Sequence, residues 1–97
     1  MRATRKDCEE VVLQIQMRAK VLGLIPLDAQ MYFIPGSTVN GHAPRVDVSS
    51  DGHRTLDLVS FLPDFNRGRN TTTTEAYLML SATNKALAAV ERLTRNG

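Results

Sequence analysis

The sequence predicts an α+β domain of order α-β-β-β-α, with two helices packed on one face of a three-stranded antiparallel sheet. Apolar residues recur at helical spacing near both ends of the chain. Between them lie short aromatic or β-branched stretches that alternate with polar residues, the pattern of half-buried strands. Gly, Pro, Asn and Ser cluster at the joints. The 97 residues are read as one domain, 1–97, with a core over about 5–95. A chain of this size buries roughly 60–65% of its unfolded surface, enough for one modest core.

In the first helix, Thr4 is placed to cap and Asp7, three residues on, completes a capping box at the positive end of the dipole. Cys8, Val11, Val12, Ile15, Ala19 and Leu22 form one apolar stripe, with Gln14, Gln16, Arg18 and Lys20 mostly away from it. Gly23 and then Pro26 stop the helix. Met31, Tyr32, Phe33 and Ile34 read as a strand that Pro35 and Gly36 end, and a loop follows over residues 36–43. Arg45, Val46, Asp47 and Val48 alternate as a second strand. Ser50, Asp51 and Gly52 signal a tight turn, and the alternation resumes over residues 54–61. Residues 62–70 read as a loop. One of Thr71, Thr72, Thr73 and Thr74 then caps the last helix, with Glu75 in its first turn. Its inner stripe is Ala76, Leu80, Thr83, Leu87 and Val90, extended by Met79, Ala86 and Leu93, with Arg92 and Arg95 at its negative end.

Composition narrows the function classes. Apolar residues make up 42% of the chain and there is no Trp, so Leu, Val, Ile and Met must build most of the core. Cys8 is the sole cysteine, which excludes an internal disulfide. No apolar run approaches the roughly 20 residues that span a bilayer, and no export signal is visible, so no membrane role and a cytoplasmic location are expected. Twelve basic residues face ten acidic ones. Residues 1–10 and 61–75 balance, and the surplus lies in residues 85–97, where Lys85, Arg92 and Arg95 face Glu91. That is no dense basic stripe.

Chemistry-bearing motifs are few. His42, His53, Cys8, Asp47 and Asp51 match no zinc or calcium spacing, so no metal and no cofactor is expected. Asp47 and Asp57 could oppose each other across strands, but exposed strand faces commonly carry Asp. With no nucleophile elbow, zincin helix or P-loop either, the chain is expected not to be an enzyme.

Three segments resemble the double-stranded RNA-binding domain, together covering about Asp7 to Leu93. Lys20-Val21-Leu22-Gly23-Leu24 is similar to that family's first-helix exit. Residues 39–46, with Gly41-His42-Ala43-Pro44, resemble its loop between strands one and two. Glu75-Ala76, followed by Ala86, Ala88 and Ala89, resembles its Ala-rich second helix. The resemblance implies binding of duplex or structured RNA by shape, two regions entering successive minor grooves and a third gripping phosphates. Carried over, Gln14 (or Gln16) and Arg18 face one groove and Gly41 and His42 the next. Thr72 and Thr73 stand at the helix start, where the family has paired lysines, with Arg67 and Arg69 before them as substitute cations. The chain also resembles small proteins of actinobacterial phages that pair a Gly-Ser…Gly-x-Ala loop, here Gly36 to Ala43, with a Thr-x-x-Glu-Ala helix start, here Thr72 to Ala76. That implies a viral accessory protein in a host cytoplasm.

Two functions of different class follow: a noncatalytic RNA-binding module, or a module that docks a host protein or a second copy of itself. The second draws on Tyr77 and Leu78, which lie off the inner stripe of the last helix.

Overall fold

The computed structural model describes residues 2–37, 39, 41–50, 53–54, 61–65 and 71–96. Its elements are α1 (Arg5–Val21), β1 (Gln30–Ile34), β2 (Arg45–Ser50), β3 (His53–Arg54) and α2 (Thr73–Asn96).

Both helices start on the same device. Thr4 Oγ1 accepts from the Asp7 N–H at 3.2 Å while Asp7 Oδ2 accepts from the Thr4 N–H at 2.8 Å. At α2, Thr72 Oγ1 accepts from the Glu75 N–H at 3.1 Å, and Glu75 Oε1 faces the Thr72 N–H at 3.4 Å. Two otherwise orphaned donors are satisfied at each end. The exit of α1 is a Schellman turn: the Leu24 N–H donates to the Ala19 carbonyl and the Gly23 N–H to that of Lys20. Gly23 holds φ 73°, a left-handed conformation that side chains disfavour.

Between the strands, Met31 pairs with Val48 and Phe33 with Val46, placing four apolar side chains on one face. Gln30, Tyr32 and Ile34 oppose Ser49, Asp47 and Arg45 on the other. The inner face joins Cys8, Val12, Ile15 and Ala19 of α1 and Ala76, Leu80 and Leu87 of α2 in one core. Phe65 is also buried there, and Phe61 and Leu62 pack against it.

The sheet departs from expectation. Among the described residues it is a two-strand antiparallel sheet of β1 and β2, and the third full strand expected over residues 54–61 is not observed. β3 is a two-residue stub beyond β2, pairing Ser49 with Arg54 and Ser50 with His53. Its two rungs oppose serines, so they add no apolar pair to the inner face. Asp51, Gly52 and residues 55–60, including Asp57, lie outside the described residues.

Three further corrections concern which way side chains face. Gln16 is buried, and its Oε1 accepts from the Met31 N–H at 2.6 Å, so it braces β1 instead of facing out. Tyr77 packs against the core. Ala86, Val90 and Leu93, assigned to the inner stripe of α2, are exposed. The helices run side by side in the same direction, with Thr73 beside Cys8 and Glu91 beside Arg18. The 24-residue α2 therefore outruns the 17-residue α1, and its last turn extends past the end of its neighbour.

Candidate functional site

Four of the eight residues that the sequence nominated meet in one place. The loop after β1 closes on a pair of backbone bonds between Ser37 and His42, at 2.9 and 3.1 Å. Gly41 makes the closure possible by adopting φ 67°. This puts Gly41 and His42 against Thr71, Thr72 and Thr73, across an open cleft of about 230 Å³. His42 is exposed, with Nδ1 3.3 Å from the Ala43 carbonyl.

The threonines at this cleft are already occupied. Thr72 caps α2, and Thr71 Oγ1 donates to the Phe65 carbonyl. The Thr73 carbonyl accepts from Cys8 Sγ at 3.6 Å, and Thr74 Oγ1 accepts from the Ala3 N–H at 3.0 Å. The Glu75 carboxylate folds back over the helix start, where it competes with any incoming anion for the same positive pole.

Gln14 and Arg18 lie elsewhere, in a polar seam between the helices. Arg18 Nε donates to Asn84 Oδ1 at 3.1 Å, and Arg18 Nη1 pairs with Glu91 Oε2 at 2.8 Å. Asn84 Nδ2 donates to Gln14 Oε1 at 2.7 Å, and Glu91 Oε1 also takes Arg95 Nη2 at 3.0 Å. Asn84 is eleven residues beyond Thr73, so the seam is about 16 Å along α2 from the cleft. Arg67 and Arg69 lie outside the described residues.

The surface that sequence reasoning passed over is the outer face of α1. Leu13, Met17 and Val21 are 54%, 67% and 66% exposed. They recur every four residues on the side opposite Cys8, Val12, Ile15 and Ala19. A groove of about 340 Å³ runs beside them, lined by Gln14, Met17, Arg18, Val21, Glu91 and Arg95. The spacing of Leu13, Met17 and Val21 was available in the sequence, but the inner stripe already accounted for the helix.

Cys8 is fully buried against α2. Burial first, then the Asp7 and Glu9 carboxylates, pushes its thiol from 9.0 up to about 11, so it is no nucleophile at neutral pH. Among the described residues no three His, Cys, Asp or Glu side chains gather as a metal ion would require. No described helix is long and apolar enough to cross a membrane. Compared with family models, with curated proteins and with solved structures, the chain finds no match.

Proposed function

We propose that this chain is a noncatalytic docking module that binds a protein partner through the outer face of α1. The observation that carries this reading is the exposed Leu13–Met17–Val21 row, aligned along a helix whose opposite face already fills the core. Single exposed apolar residues are ordinary, whereas an aligned row of them beside a groove is the signature of an interface. The near-balanced charge suits a protein partner better than a polyanion, because a few phosphate contacts yield little affinity through counterion release. The module would work in the cytoplasm, that of a host cell if the chain is a viral accessory protein. Cross-linking in native cells followed by mass spectrometry tests the reading. Met17→Glu should keep the circular dichroism of the parent and lose its cross-linked partners; partners recovered unchanged would overturn it.

A second reading, binding of duplex or structured RNA, is favoured by the cleft that gathers Gly41, His42, Thr72 and Thr73. A loop beside a helix start is a geometry that can straddle a phosphate backbone. On this reading duplex RNA shifts on a gel at low salt, and the shift weakens with His42→Ala or with Arg67→Ala/Arg69→Ala. A duplex that never shifts removes the reading.

A further inference from the structure

We infer that the occupant of the outer face of α1 is a second copy of this chain, its α1 laid antiparallel on the first, an inference that rests on the docking reading above. The outer face holds more than three apolar side chains. Lys6, Glu10, Leu13, Met17 and Lys20 follow one another at alternating steps of four and three, the spacing of a helix–helix seam. Glu10, Leu13 and Met17 are exposed and Lys20 is half-buried. Neither Glu10 nor Lys20 has an ion-pair partner among the described residues, in contrast to Arg18, Glu91, Arg5 and Glu9.

That row is complementary to itself in one orientation. Turned antiparallel about the level of Ile15, Leu13 meets Met17 of the second copy and Met17 meets its Leu13. The same twofold brings Glu10 onto Lys20 of the second copy and Lys20 onto its Glu10. Two apolar layers are thus closed at each end by an ion pair, and the interface is isologous as a twofold dimer requires. A parallel arrangement would instead stack Glu10 on Glu10 and Lys20 on Lys20, which repel. Val21 and Gln14 flank the seam, beside the groove that leads to Glu91 and Arg95. A single helix face is smaller than the roughly 800 Å² per partner of a standard interface, so the dissociation constant is placed at about 10–100 µM.

Sedimentation from about 1 µM to about 1 mM, bracketing that constant, tests the inference on the whole chain. The parent should pass from monomer to dimer, and Met17→Glu should remain monomeric throughout. Glu10→Lys and Lys20→Glu should each weaken dimerisation roughly tenfold, because each replaces two attractions per dimer with two repulsions. The double variant Glu10→Lys/Lys20→Glu should return to within about twofold of the parent, since exchanging the two charges rebuilds both pairs. Circular dichroism of every variant excludes misfolding as the cause. Single variants that weaken without rescue in the double overturn the antiparallel arrangement. A parent that stays monomeric overturns self-association. In that case cross-linking decides the broader reading separately: if Met17→Glu still loses its partners in cells the docking face stands, and if it loses none that reading falls as well.

Discussion

On one side of α1, Cys8, Val12, Ile15 and Ala19 are at most 1% exposed; on the other, Leu13, Met17 and Val21 are at least half exposed. The residue types are nearly the same and the helical spacing is the same. In α2, Ala76, Leu80 and Leu87 lie inside, and the outside mixes Thr94, Lys85 and Arg92 with the exposed Leu78, Val90 and Leu93. What separates the two faces of α1 is whether this chain supplies a neighbour. Burial of the inner face is what the fold gains, so the cost of altering it appears as lost stability. The outer face buries much less within the monomer, so the cost of altering it appears mainly in association.

The largest expected effect lies inside. Ile15→Ala should lower unfolding free energy by about 2–5 kcal/mol in a urea titration, since Ile15 is fully buried and its loss leaves a cavity. Gln16→Leu comes next, at about 1–3 kcal/mol, because it strands the buried Met31 N–H that Gln16 Oε1 now accepts from. A smaller change on either would break the claim that this face carries the fold.

Cys8 probes the same face without substitution. Its thiol holds a proton to about pH 11, whereas the unfolded chain releases one near 9. The native state therefore binds more protons between those values, so the stabilisation is complete below about pH 9 and is lost as pH rises toward 11. Urea midpoints should be flat in this respect up to pH 9 and fall above it, and Cys8→Ala should remove that fall. Thiol reagents at pH 7 should label Cys8 at the rate of global unfolding.

Much of the fold was legible because it is local. Thr4 with Asp7, Thr72 with Glu75 and Gly23 are devices that span a few residues, and each acts as its sequence suggests. The alternation in Met31–Phe33 and Val46–Val48 likewise fixes a face without reference to anything distant. What was not legible depends on where neighbours end. Leu93 has the right spacing to be buried, yet α1 stops at Val21 and leaves it uncovered. Periodicity records that a helix has a side, not how far its partner reaches. The full third strand expected over residues 54–61 is not among the described pairings, which reach Arg54, and residues 55–60 lie outside the described residues.

The candidate site divides along the same line. Gly41, His42, Thr72 and Thr73 converge because one loop and one cap define their positions. Arg18 looked like a free cation because its acceptor, Glu91, is 73 residues away, and nothing near Arg18 announces it. Gln16 sits at the rim of the apolar stripe, where its direction is set by the Met31 N–H of β1.

The smallest stability effect is the one that sharpens the contrast most. Met17→Ser removes the most exposed apolar side chain of α1 and replaces it with a residue of only slightly lower helix propensity. No buried contact is lost, so the unfolding free energy of dilute monomer should stay within about 0.5 kcal/mol of the parent. At protomer concentrations where the parent dimerises, the same variant should unfold at lower urea than the parent, because binding to the native state alone adds stability that grows with concentration. A parent whose urea midpoint is independent of protein concentration, or a Met17→Ser monomer destabilised by as much as Ile15→Ala, would erase the distinction between the faces. Equal midpoints when dilute and a gap that widens with concentration would show that one helix serves the fold on one side and a partner on the other.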